Sequence, residues 1–173
     1  MNNEILLMVT GHRPHKIPGG YNEGSPGWLA IRHWLGEQIQ AHAPRAVISG
    51  MALGVDTVFA VAALELGVPL VAAIPFQGQE AQWPAASKAR YQRLLARAAI
   101  VHAVSPPGYH VSKMHVRNQW MVDTCTHALA VWDGSSGGTG ACVRAIRVAE
   151  KPLRVFDPRA IAGLLSTTIE ESP

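Results

Sequence analysis

The sequence predicts an α/β protein built on a mainly parallel sheet with helices on both faces. Three observations lead there. Short apolar runs alternate with segments of helical spacing from one end of the chain to the other, the pattern of strands joined by crossover helices. The runs are nearly continuous, as strands buried on both faces require. Two of them halt at a glycine turn that leads directly into a helical pattern. At 173 residues the chain has the size of one domain, and with 48% hydrophobic against 16% charged residues it can bury a real core.

Leu6 to Val9 is the first strand and stops at Thr10-Gly11. Gly11 to Gly24 is too rich in glycine and proline for regular structure. Ser25-Pro26 reads as an N-cap followed by proline in the first turn, and Trp28, Ile31, Leu35 and Ile39 mark the buried face of a helix over Pro26 to Ala41. Arg45 to Ser49 is the second strand. After the turn at 50–54, Val58, Phe59, Ala62, Ala63 and Leu66 carry a second helix, closed at Gly67. Pro69 to Ile74 is the third strand, and Pro75 to Pro84 a loop holding Phe76 and Trp83. A helix over Ser87 to Ala98, a strand over Ala99 to Val104, a loop over Ser105 to Ser112 and a helix over Lys113 to Thr126 follow. Ala128 to Trp132 is the fifth strand, Thr139 to Glu150 the next helix and Leu153 to Phe156 the last strand. The domain therefore runs over 1–157, and 158–173 supply a short terminal helix or tail.

The formal charge of +3 is mild and the basic residues are scattered, which suits a small anionic ligand at least as well as nucleic acid. Cys125 and Cys142 lack C-x-x-C spacing, so neither a disulfide framework nor a zinc site is expected, and the setting is a reduced cytoplasm. His12 and His15 bracket a proline, and His110 and His115 have no acidic partner at ligand spacing. No metal and no cofactor are expected. The N-terminal apolar run is too short for a signal peptide, and no stretch approaches the roughly 20 apolar residues of a membrane span.

Function is concentrated in the turns after the strands. In VWDGSSGGTGA, residues 131–141, Asp133, Gly134, Gly137, Gly138 and Thr139 lie where free backbone N–H groups and the positive end of a helix dipole can hold an anion, phosphate above all. A plain strand-to-helix connection uses the same residues. The stretch has neither the G-x-G-x-x-G fingerprint nor the lysine of a P-loop, so a standard dinucleotide site and an NTPase are unsupported. SGMALGVD repeats the arrangement, with Ser49, Gly50, Met51 and Gly54 offered to a ligand and Asp56 in the first helical turn. Asp56 either serves the helix dipole or acts on a ribose hydroxyl or as a base. TGHRP adds Gly11, His12 and Arg13, a close-approach glycine followed by a phosphate-pairing fork and an acid-base group. These strand ends should converge on one rim. Phe76 and Trp83 either stack on a base or bury themselves in their loop, and Arg117-Asn118 either reaches a sugar or phosphate or lies on a solvated helix face.

TGHRP, SGMALGVD, the PF and WP loop, the RN pair and WDG followed by GGT together resemble the SLOG superfamily of Rossmann-like proteins. That superfamily includes the DNA-processing protein DprA, the "lonely guy" phosphoribohydrolases and the YpsA-like branch, and the motifs are most similar to the last. The resemblance covers about Met8 to Glu150. It implies a single Rossmann-like domain, a nucleotide or nucleotide-derived ligand held between the SGMALGVD and GGT turns, and a homodimer. Gly50, Gly54, Gly137, Gly138 and Thr139 match the glycine-rich positions. The phosphoribohydrolase branch carries a pattern close to P-G-G-x-G-T-x-x-E, whose Glu steadies the sugar cation. Here Cys142 stands at that place and no carboxylate follows before Glu150.

The leading expectation is therefore a nucleotide-binding protein, in a sensor role. A nucleotide N-glycosidase is the alternative, in which Asp56 replaces the missing Glu and His12 assists the leaving base. A single-stranded DNA-binding module resting on Arg90, Arg93 and Arg97 is less favoured.

Overall fold

The computed structural model describes residues 4–161. The expected tail at 158–173 lies, from residue 162 on, outside the described residues. The elements follow in the order β1 (Leu6–Gly11), α1 (Pro26–His42), β2 (Ala46–Ser49), α2 (Val55–Glu65), β3 (Leu70–Ile74), α3 (Ala85–Arg97), β4 (Ile100–Ala103), α4 (Val111–Thr124), β5 (His127–Val131), α5 (Gly138–Val148) and β6 (Leu153–Phe156). A single 3₁₀ turn at Pro14–Lys16 interrupts the long first loop. All strand pairs are parallel, in the order β4-β3-β2-β1-β5-β6.

Handedness explains the layering. Right-handed crossovers from β1 outward to β4 place α1, α2 and α3 on one face. The chain then returns across the sheet to pair β5 with the free side of β1, so α4 and α5 fall on the opposite face. Side-chain alternation divides the core accordingly. Leu7, Val9, Val47, Leu70 and Leu129 pack with Trp28, Ile31, Leu35 and Phe59 on one side. Met8, Ile48, Ala73 and Ala128 pack with Met121, Val122, Cys142 and Ile146 on the other. Successive strand residues thus serve different helix layers, which is why the runs are apolar throughout.

Boundaries moved where local chemistry was unusual. Helix α4 begins at Val111 rather than Lys113, because the His110 ring accepts from the Ser112 amide at 3.2 Å and acts as the N-cap. Cys125 lies beyond that helix, not within it, as its extended backbone already leads into β5. Ser25 takes the N-cap position of α1 with Pro26 as its first residue, but its hydroxyl turns to the Pro18 carbonyl at 3.4 Å instead of capping. Gly67 follows α2 with φ of +72°, the left-handed stop expected of it.

Because β1 sends the chain one way and β5 lies on its other side, a crevice opens between their carboxyl ends. Gly11 closes the sheet there: a Cβ on it would meet the Val55 side chain at 2.5 Å, so glycine lets the first residue of α2 sit on the end of β1.

Candidate functional site

The crevice is a cavity of ≈ 260 Å³. Gly11, His12 and Arg13 line it from the end of β1, Asp56 from α2, Arg117 and Asn118 from α4, and Gly137, Gly138 and Thr139 from the start of α5. The end of one strand and three helices far apart in the sequence meet there, on the expected rim.

One end presents free backbone amides. Gly137, at φ +130°, is the N-cap of α5 and has no side chain to spend on capping. The amides of Gly138, Thr139 and Gly140 meet no acceptor among the described residues, and no acidic residue occupies the first turn. Exposed Lys16 stands over this end, its Nζ 3.3 Å from Ser135 Oγ, and exposed Arg13 lines the same cavity near enough to Asp56 to act on its charge. The N-terminus of α2 is different, because the chain itself closes it: the Val55 amide points to the His12 carbonyl at 3.5 Å, and the Asp56 carboxylate folds back on the Ala52 amide at 3.3 Å.

The other end holds a buried charge pair. Asp56 is 8% and Arg117 5% exposed. Arg117 does not lie on a solvated helix face. Its guanidinium donates to the Gly50 carbonyl, to the Ala73 carbonyl at 3.4 Å and to Asn118 Oδ1 at 2.8 Å. Burial pushes the Asp56 carboxyl above the usual carboxylate range, against the pull of Arg117 and then Arg13. Burial likewise lowers Arg117, with Asp56 opposing. Cys142, at the position of the phosphoribohydrolase Glu, is buried with its thiol pushed up by desolvation, and supplies neither carboxylate nor thiolate.

His12 is buried and tied, Nε2 to Asp133 Oδ1 at 2.8 Å. The same oxygen accepts from the Ser135 amide at 2.9 Å, so Asp133 fastens the end of β1 to the glycine turn. Bonds from Ser135, followed by His12, hold the Asp133 carboxyl well below the usual range. Asp133 is thus a brace of the turn, and His12 lines the cavity with one nitrogen already committed.

Other expected contacts lie elsewhere. Ser49, Gly50 and Met51 lie beneath the cavity as scaffold: Ser49 Oγ donates to the Asp56 carbonyl at 2.7 Å and accepts from the Met51 amide at 3.1 Å. Met51 itself is fully buried at φ +57°. Gly50 makes room for Arg117, whose Cζ a Cβ there would meet at 2.5 Å. Gly54, at φ +102°, allows close approach of the His12 carbonyl, and Gly134, at φ +87°, turns the chain after β5. Phe76 is buried beneath Tyr109, ring centroids 6.1 Å apart, and Trp83 packs edge-on against Tyr91 in a separate hollow on α3. Neither ring lines the crevice. Arg90 is paired with Glu23 at 2.6 Å. Sequence reasoning missed Lys16, Thr10, Met114 and Ser136, all of which line the cavity; the basic residue in a glycine-rich loop was the one signal available.

The model of the YspA SLOG family matches residues 7–151. A UPF0398 protein of Shouchella clausii is 28% identical over 145 residues, covering 77% of this chain and 76% of that protein. Among solved structures, DNA processing protein A of Streptococcus pneumoniae superposes with a TM-score of 0.67 at 16% identity, over 95% of this chain. This chain spans only 56% of that protein's length. The molybdenum cofactor carrier protein of Chlamydomonas reinhardtii gives 0.56 at 19% identity, over 95% and 85% of the two chains. At these identities the likeness is one of fold.

Proposed function

The chain belongs to the YspA SLOG family, and on that premise we propose that it binds a nucleotide or nucleotide-derived small molecule, in a sensor role. The observation that carries this is the start of α5, where the Gly138 and Thr139 amides, without acceptors among the described residues, open onto a cavity also lined by Arg13 and Lys16. The phosphate rests there, and the rest of the ligand extends toward Asp56. The test uses Gly138, where a Cβ meets nothing within 4 Å. Gly138→Leu should fill the cradle without disturbing the fold. Calorimetric titration with AMP and GMP is expected to show binding to the parent and its loss in the variant at unchanged melting temperature. Equal affinity in the two would remove the cradle from the account.

One observation favours a second reading, nucleotide N-glycosidase activity: a buried carboxylate, Asp56, in the wall of the same cavity. Asp56 would steady the sugar cation while water adds to the anomeric carbon and the base leaves with a proton. Free base released by the parent and not by Asp56→Asn would establish it. Retained turnover in that variant would dispose of Asp56's role. The homodimer implied by the motifs is supported by edge strand β4, whose Ile100 and Val101 are 56% and 47% exposed. Ile100→Lys should then yield a monomer in sedimentation equilibrium.

A further inference from the structure

Asp56 is left with bonding capacity that the protein does not use. Its Oδ2 accepts one long bond, from the Ala52 amide at 3.3 Å, while Oδ1 has no donor among the described residues. The only side-chain atoms sealed from solvent without a partner, among those residues, are Gln38 Oε1 and Glu80 Oε2. Asp56 Oδ1 is therefore open, and the space it opens onto is the crevice. Arg117 balances the charge but spends its bonds on Gly50, Ala73 and Asn118. A carboxylate that is more than nine-tenths buried, with room for about three further hydrogen bonds, must receive donors from whatever fills the cavity.

The surroundings restrict what those donors are. Arg13, Lys16 and Arg117 already make the crevice cationic, so a ligand ammonium is disfavoured beside them and neutral hydroxyls are favoured. At ≈ 260 Å³ the cavity is smaller than the roughly 300–1,000 Å³ that whole drug-sized ligands occupy. A cavity of this size suits a phosphorylated pentose better than the pentose together with its base.

We infer that Asp56 takes the adjacent 2′ and 3′ hydroxyls of a ribose whose phosphate lies at the start of α5, so that the site selects ribonucleotides over deoxyribonucleotides and is indifferent to the base. The inference rests on the nucleotide-binding reading above. Removing the 2′ hydroxyl leaves an acceptor unpaired in a dry site, whereas changing the base alters only groups outside it.

Titration calorimetry of the parent with AMP, dAMP, GMP, dGMP, ribose 5-phosphate and 2-deoxyribose 5-phosphate tests this. Each ribo compound should bind roughly tenfold or more tightly than its deoxy counterpart, with AMP and GMP within about threefold of each other. The free sugar phosphates separate recognition of the phosphopentose from recognition of a whole nucleotide. In Asp56→Asn, whose folding is checked by circular dichroism, the ribo-to-deoxy ratio should fall to within about threefold while deoxy binding persists. Equal affinities for ribo and deoxy compounds in the parent, or an unchanged ratio in Asp56→Asn, would overturn the inference while leaving nucleotide binding intact. Failure of all six to bind would overturn both.

Discussion

Gly50 and Arg117 give the most specific prediction about how the site is held. An alanine Cβ at position 50 would lie 2.5 Å from Arg117 Cζ and 2.7 Å from Asp56 Oδ2. Arg117 Nη1 is closer still, and reaching ordinary contact at about 3.4 Å moves the guanidinium by more than an ångström, enough to break its bond to the Gly50 carbonyl and to weaken the longer one to Ala73. Overpacking of this kind costs about 1–3 kcal/mol, and a lost hydrogen bond to a buried charge about 1.5–3 kcal/mol. The two overlap, so Gly50→Ala should destabilise the fold by about 3 kcal/mol in urea titration. Arg117→Ala removes the nearer of the two obstacles at a cost of its own, about 3–5 kcal/mol, because Asp56 then lacks its counter-charge. On that background Gly50→Ala should cost less than in the parent, the remainder coming from the contact with Asp56 Oδ2 at 2.7 Å. Additive losses in the double variant would refute the idea that Gly50 exists to admit Arg117.

Two further outcomes follow from the same geometry. Asp133, with its carboxyl held below the usual range, stabilises the fold above about pH 4 and loses that contribution as pH falls further; Asp56, with its carboxyl raised, costs stability increasingly as pH rises from about 4. Urea titrations should therefore find Asp133→Asn weaker than the parent at pH 7, with the gap closing in acid. Gly11→Ala, whose Cβ would meet Val55 Cβ and Cγ1 at 2.5 Å, should cost about 1–3 kcal/mol, with part recovered by Val55→Gly, which removes all the atoms met; no recovery would mean the strain lies elsewhere.

The alternation of strands and helices was legible because the central strands β1, β2, β3 and β5 are buried on both faces and a helix such as α1 announces its covered side through Trp28, Ile31, Leu35 and Ile39, whereas the edge strands β4 and β6 are largely exposed. Strand order was not, since nothing local in β5 says that it pairs with β1 rather than with β4. Within the site, the α5 turn, Arg13 and Asp56 could be found because glycine, arginine and a first-turn carboxylate at strand ends have few structural uses in combination. Arg117 could be named but not placed. In sequence a buried arginine and a solvated one look alike, and the burial depends on a glycine 67 residues away. Phe76 and Trp83 misled for the opposite reason: apolar rings in a loop satisfy themselves against neighbours such as Tyr109 and Tyr91, and no periodicity reports this.

Among the described residues no helix is long and apolar enough to cross a membrane, and no cluster of three or more His, Cys, Asp or Glu could hold a metal ion. The cavity is lined by the Gly138 and Thr139 backbone, the basic side chains Arg13, Lys16 and Arg117, and the buried Asp56 carboxyl.

Native mass spectrometry of the protein after incubation with a panel of nucleoside mono- and diphosphates, cyclic nucleotides and ADP-ribose derivatives tests the central claim most directly. The account predicts a mass shift equal to one intact nucleotide per chain, absent from Gly138→Leu. No adduct with any member of the panel, together with a complex between the protein and a single-stranded oligonucleotide that weakens steeply with salt, would contradict it.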